Sequence, residues 1–357
     1  MKFDVRLFLA LMPFVAAGTA SAQQLEALWY STPSEGSTKN FLAHADQISI
    51  VSPQVFAFDK LGGLHGKVDP RVIEKAREAG VQVVPLVMNA GFDQPTMHGI
   101  LNKPARRLKA IRSITALCRD HKFAGIQFDI ENVHVKDKAA FTSFSKETAD
   151  SLHGIGCTLS AAVVPRLSED PGPTTYHKWI FDNWRGVYDY KALADAMDFI
   201  SLMTYAQHTG GSTAGPVAGY RWVEDCLKYT LSLGVPPSKI SLGLAGYSDH
   251  WYPSYDTVGG PRMRGGDISY GRAMALLAER GVTPTWDEQD KALRAEWSEA
   301  GIYESAWIED ARAFMAKLEL VKKYNLRGYS VWVLGTEDPK TWEALKSAGV
   351  TASHVKR

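Results

Sequence analysis

The stretch FAGIQFDIENV, residues 123–133, places two carboxylates, Asp129 and Glu131, at the end of an apolar run. The run predicts a buried β-strand, in which successive side chains point to opposite faces. Asp129 and Glu131 therefore share one face with Gln127, whereas the apolar residues between them share the other. Removing charges from water at the end of a buried strand costs free energy. The pair therefore indicates a function, although strand-end carboxylates satisfied by loop amides are an alternative.

Seven further apolar, β-branched runs predict strands. They cover residues 25–31, 47–58, 81–89, 158–164, 199–205, 240–247 and 328–334. Helix-like segments separate them, at about 69–80, 103–121, 137–154, 189–196, 219–233 and 308–324. Eight strands alternating with helices predict an α/β protein with parallel pairing, closed into a (β/α)8 TIM barrel. An open doubly wound sheet is the alternative, but no glycine-rich dinucleotide loop favours it.

The interval from about 248 to 306 is too long for an ordinary barrel loop. It contains GGPRMRGG (259–266), a helix-like segment and stretches that alternate polar with apolar residues. This pattern predicts a small α+β insertion after the seventh strand. Loops at the carboxyl ends of barrel strands build active sites. We therefore expect the insertion to form one wall of a cleft, and Glu131 to lie at the rim of the barrel beside that cleft.

The first 22 residues have the composition of a secretory signal peptide. Lys2 and Arg6 give a basic start, residues 7–17 are apolar, and residues 20–22 form a small-x-small cleavage site. The apolar part is too short to span a bilayer, and no later run predicts a membrane helix. We expect cleavage near Ala22 and a secreted or periplasmic product without a membrane anchor.

Composition narrows the classes of partner for the mature chain, residues 23–357. The whole chain has a net charge of +1, and the signal segment carries two basic residues and one acidic residue. The mature chain is therefore close to neutral, which gives no electrostatic footprint for nucleic acid. No H-E-x-x-H motif or closely spaced Cys/His set predicts a metal site. We expect no nucleic-acid partner, no metal and no cofactor, and the sequence does not indicate an oligomeric state.

The three cysteines, Cys118, Cys157 and Cys226, are odd in number and widely spaced. One disulfide is possible in an oxidising compartment, but the spacing does not predict a disulfide framework. Three separate buried thiols are the preferred interpretation.

The opening stretch resembles the fourth-strand signature of glycoside hydrolase family 18, D-G-x-D-x-D-x-E. Gly125, Asp129 and Glu131 match it, whereas Ala124 and Gln127 replace two aspartates. The branch that contains bacterial spore-cortex-lytic and related peptidoglycan N-acetylglucosaminidases commonly has an amide residue, asparagine, at the second of these positions. Gln127 is closer to that branch than to the chitinases.

Two further motifs extend the resemblance over nearly the whole mature chain. SLMTYAQH resembles the sixth-strand M-x-Y motif and supplies Met203 and Tyr205, with Ala206 in place of the usual aspartate. GYSVWVLGTEDP resembles the last strand, whose tryptophan, here Trp332, forms the floor of the sugar site. The tail G-x-E-D is typical of the same branch.

The resemblance implies a retaining mechanism in which the substrate's own acetamide group attacks the anomeric carbon. Glu131 would protonate the glycosidic oxygen and then act as a base toward water. Asp129 would hold the acetamide N–H, and Tyr205 would position the acetamide by a hydrogen bond. Trp332 and Met203 would line the floor.

Other residues at strand ends are candidates for sugar contact. They are Asn89, Gln127 and Phe58. Each has a structural alternative: Asn89 and Phe58 could serve the local loop, and Gln127 could support Asp129. Trp251, Tyr252 and Trp286 of the insertion could stack on sugar rings or anchor the insertion. His208 is interpreted as a loop residue.

The leading hypothesis is an exported glycosidase that acts on polymers of N-acetylglucosamine, with peptidoglycan as the favoured substrate. Chitin oligomers and N-glycans are the enzymatic alternative. A lectin-like barrel that binds sugar without catalysis is the alternative of another class. Lectin-like members of the family typically lack the acid at the position of Glu131, so its presence favours an enzyme.

Overall fold

The computed structural model of the chain describes residues 23–210, 212–256 and 260–353. Eight parallel strands, termed barrel strands one to eight, follow one another around a closed barrel. They are Gln23–Ser31, Ile50–Phe58, Leu86–Asn89, Gly125–Asp129, Thr158–Val163, Phe199–Leu202, Ile240–Ala245 and Gly328–Trp332. Strand eight pairs with strand one, from Gly328 beside Glu26 to Val331 beside Trp29, which closes the barrel. The predicted (β/α)8 TIM barrel is confirmed, and the predicted signal peptide lies outside the described residues.

Helices surround the barrel. They are Glu35–His44, Pro70–Ala79, Gln94–Asn102, Pro104–His121, Lys138–His153, Thr175–Ile180, Tyr190–Ala196, Tyr220–Ser232, Ala311–Lys323 and Lys340–Ser347. Asp69 caps the helix Pro70–Ala79 by accepting a hydrogen bond from the backbone N–H of Arg71 at 2.8 Å. Gly80 ends it in the left-handed conformation, φ +71°, which glycine adopts without steric cost. No helix within the described residues combines the length and apolar character that crossing a membrane requires.

The side chains of barrel strand four alternate as the sequence predicts. Ile126 and Phe128 are fully buried in the main hydrophobic layer between strands and helices. Gln127 points into the barrel, where its amide donates to the hydroxyls of Ser160 and Ser201, each at 3.1 Å. Because the regular strand ends at residue 129, Glu131 stands beyond it on the rim.

The segment after barrel strand seven folds as a five-stranded antiparallel sheet with one helix. The strands, in their order across the sheet, are Gly260–Ile268, Ser248–Asp256, Ile302–Ile308, Ala292–Glu299 and Thr285–Asp287. Helix Tyr270–Arg280 packs on this sheet through Ala273 and Leu277. A buried ion pair between Glu309 and Lys317 connects the end of the sheet to the barrel helix Ala311–Lys323.

Cys118 and Cys157 form a disulfide, so the preferred interpretation of three separate thiols is wrong. Cys118 lies in the last turn of helix Pro104–His121, and Cys157 immediately precedes barrel strand five. Strands four and five are parallel neighbours, so the segments that lead into them are brought together at the same end of the barrel. Cys226 is buried as a free thiol.

We expect the Cys118→Ala, Cys157→Ala double variant to lose roughly 2–4 kcal/mol of unfolding free energy, because the disulfide constrains the unfolded chain. Urea denaturation with and without a reductant measures the effect. Reductant should destabilise the parent protein and leave the double variant unchanged. Cys226→Ala is the control and should keep the response to reductant. If reductant leaves the unfolding free energy of the parent protein unchanged, the assignment of the Cys118–Cys157 disulfide is contradicted.

Candidate active site

A cleft of about 600 Å³ opens at the carboxyl ends of the barrel strands. Five of the side chains predicted to form the site line it: Asp129, Glu131, Met203, Tyr205 and Trp332. They follow or end barrel strands four, six and eight, which are not adjacent in sequence. The barrel therefore brings together the residues that the three motifs supply, at the end where such folds carry their active sites.

Asp129 is almost completely buried, with 4% of its surface exposed. Gln54, from barrel strand two, donates a hydrogen bond from Nε2 to Oδ2 of Asp129 at 3.2 Å. Burial raises the pKa of Asp129 to about 6, and the hydrogen bond from Gln54 opposes this rise by stabilising the charged form. Asp129 is therefore ionised at neutral pH but close to its titration range.

Glu131 is held by its backbone. Its N–H donates to Oδ1 of Asn89 at 3.1 Å, and Nδ2 of Asn89 donates to its carbonyl at 2.8 Å. Burial, followed by the charge of Asp129, raises the pKa of the Glu131 carboxyl well above its usual range. A carboxylic acid that keeps its proton near neutral pH can serve as a general acid.

Aromatic rings enclose the carboxyl pair. Burial raises the pKa of Tyr205 well above its usual value, so its hydroxyl stays protonated and can donate a hydrogen bond. Its ring meets that of Tyr247 edge-on at 6.3 Å between centroids. Trp332 lies 5.6 Å from the ring of Tyr30, and both line the cleft.

Within the described ranges 23–210, 212–256 and 260–353, no three His, Cys, Asp or Glu side chains are grouped so that they could hold a metal ion.

Residues 52–337 match the model of glycosyl hydrolases family 18. The chain belongs to this family. The match covers seven of the eight barrel strands, Asp129, Glu131 and the insertion.

Relatives of this chain include a cortical fragment-lytic enzyme of Bacillus subtilis, 27% identical over 272 residues. That alignment covers 76% of this chain and 60% of the relative, so the chain spans about three-fifths of that protein's length. The spore cortex-lytic enzyme SleL of Bacillus megaterium matches with a TM-score of 0.82 and 25% identity, covering 95% of this chain and 77% of that one. A chitinase of Chromobacterium violaceum matches with a TM-score of 0.80 and 26% identity, covering 93% and 100%.

Two residues predicted to contact substrate, Asn89 and Gln127, are bonded within the fold instead. Asn89 is fully buried, and both ends of its amide are bonded to the backbone of Glu131. Met88 is in register with Asp129, so the next residue, Asn89, belongs to the opposite face. Gln127 is fully buried beneath Asp129 and bonds to the two serines named above.

Phe58 was expected at the site because it lies near the end of barrel strand two. The register of this strand shifts between Gln54 and Phe56, which is the signature of a β-bulge. Gln54 therefore lines the cleft, whereas Phe58 packs against Phe144 in the outer layer at 6.4 Å. The predicted sugar contact of Phe58 is wrong.

The insertion contributes Asp267 to the cleft lining. Its candidate aromatic residues have other partners. Trp251 is 1% exposed inside the insertion, Tyr252 stacks on His250, and Trp286 lies 3.7 Å beneath the guanidinium of Arg312. Nδ1 of His208 lies 2.9 Å from the carbonyl of Thr213, as expected for a loop residue.

Sequence reasoning missed much of the lining. The residues missed include Tyr30, Gln54, Phe92, Tyr176, Trp179, Trp184, Trp222, Tyr247 and Asp267. One signal was available: TTYHKWIFDNWR carries closely spaced aromatic residues and follows barrel strand five at its carboxyl end. Gln54 gave no such signal, because its role depends on a bulge that periodicity does not reveal.

We expect Gln54→Leu to move the acidic limb of the kcat/KM profile to higher pH by about one unit, because it removes a donor to the charged carboxylate and so raises the pKa of Asp129. Gln54→Glu should move the limb further, because it places a second carboxyl opposite the first. Initial rates between pH 4 and pH 9 measure the shift. An acidic limb that is the same in all three proteins refutes this role of Gln54.

Proposed function

We propose that the protein is an exported glycosidase that hydrolyses β-1,4 bonds in polymers containing N-acetylglucosamine, with peptidoglycan as the main substrate. We further propose that it acts with retention of configuration through the substrate's acetamide group. The proposal rests on one observation: Asp129 and Glu131 line one aromatic cleft, where burial and the charge of Asp129 raise the pKa of the Glu131 carboxyl well above its usual range.

In the first step, Glu131 donates its proton to the glycosidic oxygen as the bond from that oxygen to C1 breaks. The acetamide carbonyl oxygen attacks C1 and closes an oxazolinium ring. Asp129 accepts a hydrogen bond from the acetamide N–H, and its negative charge stabilises the positive charge that develops on the ring. Because the nucleophile comes from the substrate, no third carboxylate is required.

In the second step, the ionised Glu131 takes a proton from a water molecule that attacks C1. The bond between C1 and the acetamide oxygen breaks, and the N-acetyl group is restored. Two inversions at C1 leave the original configuration. Tyr205 donates a hydrogen bond to the acetamide oxygen, while Trp332 and Met203 form the floor under the sugar ring.

The choice of peptidoglycan is supported by the relatives. Two of the proteins compared above are named for the lysis of spore cortex or its fragments, and Gln127 follows the pattern of the peptidoglycan branch. Chitin oligomers are the second candidate, because the Chromobacterium violaceum chitinase matches over its whole length.

Export is supported by the composition of residues 1–22 and by the disulfide between Cys118 and Cys157. Disulfides persist mainly in oxidising compartments such as the periplasm and the extracellular space. We therefore place the enzyme there, in reach of the cell wall.

Glu131→Gln should abolish hydrolysis of purified peptidoglycan, with a loss of at least about a hundredfold in kcat, because the proton donor is removed. Binding of the polymer should persist. Mass spectrometry of the products should show N-acetylglucosamine at the new reducing ends in the parent reaction. Glu78→Gln, the same change on an exposed helix position, is the control. Equal turnover by the two variants excludes Glu131 as the acid.

An N-acetylglucosamine thiazoline, which mimics the oxazolinium ring, should inhibit competitively with respect to the glycan. Analogues of the substrate that lack the N-acetyl group should not be cleaved, because the attacking oxygen is missing. Steady-state kinetics with the inhibitor measure this. Cleavage of de-acetylated glycan at the normal rate would falsify substrate assistance while leaving Glu131 as a possible acid.

A further inference from the structure

Two large aromatic side chains stand exposed at the outer part of the cleft. Tyr176 and Trp179 belong to the helix Thr175–Ile180, which follows barrel strand five. They are 45% and 50% exposed, and their rings stack at 6.0 Å with 23° between planes. Exposed apolar surface of this kind, at the edge of a groove, marks a ligand-binding surface.

The pair is continuous with the catalytic cleft. Tyr176 and Trp179 line the same cavity as Glu131. Trp184 and Phe92 line it too, and their rings meet edge-on at 6.2 Å. Aromatic rings therefore line the cavity that the exposed pair shares with the carboxyl pair.

The segment that carries the pair is anchored to the catalytic strand. Tyr188, fully buried, donates its hydroxyl to the carbonyl of Ile130 at 2.8 Å, next to Glu131. Nη1 of Arg166 donates to the carbonyls of Tyr188 at 2.8 Å and Arg185 at 3.2 Å.

The same segment is also connected to the loop after barrel strand three. Nε2 of Gln94 donates to Oδ1 of Asn183 at 3.1 Å. Both anchors fix the position of the exposed rings relative to the acid. A surface held in place before the ligand arrives loses less entropy on binding.

We propose that Tyr176 and Trp179 form a stacking platform for sugar units of the glycan chain beyond those at Glu131. The proposal rests on the proposed function. A pyranose ring presents an apolar face of C–H bonds, which packs on the face of an aromatic ring, while its hydroxyls stay in water. A neutral polysaccharide extended along the cleft fits this surface, and the position of the two rings in the same cavity as Glu131 favours the substrate chain over a protein partner.

The platform makes the enzyme prefer long chains. A sugar that reaches the platform adds binding free energy only when the chain also spans the carboxyl pair. Monomeric and dimeric substrates end before the platform and gain nothing from it. The rate advantage of a long oligomer over a short one therefore measures the contribution of the platform.

The test compares Trp179→Ala and Tyr176→Ala with the parent on N-acetylglucosamine oligomers of two and six units and on an aryl glycoside of N-acetylglucosamine. We expect each variant to lose about tenfold in kcat/KM on the hexamer. The dimer and the aryl glycoside should change by less than twofold. Trp179→Phe should retain most of the hexamer rate, because it keeps a ring.

Direct binding gives a second measurement that does not need turnover. In the Glu131→Gln background, calorimetric titration with the hexamer should show about tenfold weaker binding after Trp179→Ala, and the dimer should show no change. Tyr255→Ala, at a 74% exposed aromatic position on the insertion strand Ser248–Asp256, is the matched control. Thermal unfolding checks that all variants are folded.

The outcomes separate the two proposals. The platform is overturned, and the glycosidase stands, if the parent cleaves the oligomers and either of two results is found. One is that the variants Trp179→Ala and Tyr176→Ala lower kcat/KM equally on the hexamer and the dimer, and the other is that they leave both values unchanged. An unchanged preference for long chains would leave the rings as a contact surface for another class of partner. If the parent neither cleaves nor binds these glycans or purified peptidoglycan, the proposed function fails and the platform with it.

Discussion

The site depends on the burial of two carboxyl groups side by side at the end of one strand. Asp129 is almost fully buried at the mouth of the barrel, and the loss of solvation raises the pKa of both acids. Two neighbouring carboxylates repel each other when both are ionised, so the charge of Asp129 adds to the rise in the pKa of Glu131. Helices, strands and loops around the pair contribute by keeping it dry and in place. Gln54 holds Asp129 by donating a hydrogen bond to its carboxylate, and Asn89 holds Glu131 by accepting a hydrogen bond from its backbone N–H.

Where the chain departs from the family signature at Gln127, residues of other barrel strands supply the hydrogen bonds. Gln127 stands where the family usually has an aspartate, and its amide turns to Ser160 and Ser201 inside the barrel. The hydrogen bond to Asp129 comes from Gln54 on barrel strand two instead. Replacing a buried acid by an amide removes one charge from a crowded interior, which lowers the cost of ionising Asp129.

The segments added to the barrel contribute unequal numbers of aromatic residues to the walls of the cleft. The insertion after barrel strand seven is the largest addition to the barrel, yet its candidate aromatic residues have partners elsewhere: Trp251 is buried inside the insertion, Tyr252 stacks on His250, and Trp286 packs under Arg312 of a barrel helix. The shorter segment after barrel strand five supplies three of the nine aromatic side chains that line the cleft, more than any other described segment. The length of an added segment therefore does not predict how many aromatic residues it contributes to the cleft, because a large insertion needs a core of its own and uses aromatic residues to form it.

The sequence by itself determined the barrel, the alternation of strand four and the motif residues that face the cleft. The barrel and the alternation follow from periodicity, because a strand has only two faces and parallel strands end at the same rim. The motif residues on strands six and eight follow from the resemblance to family 18. Only the tertiary structure decided the roles of Asn89, Phe58 and Gln54, since each depends on a neighbouring strand or on a bulge. It also decided the pairing of Cys118 with Cys157, which are 39 residues apart and meet because strands four and five are adjacent. Periodicity is a local property of the chain, whereas register and contact between strands are set by the closure of the whole barrel.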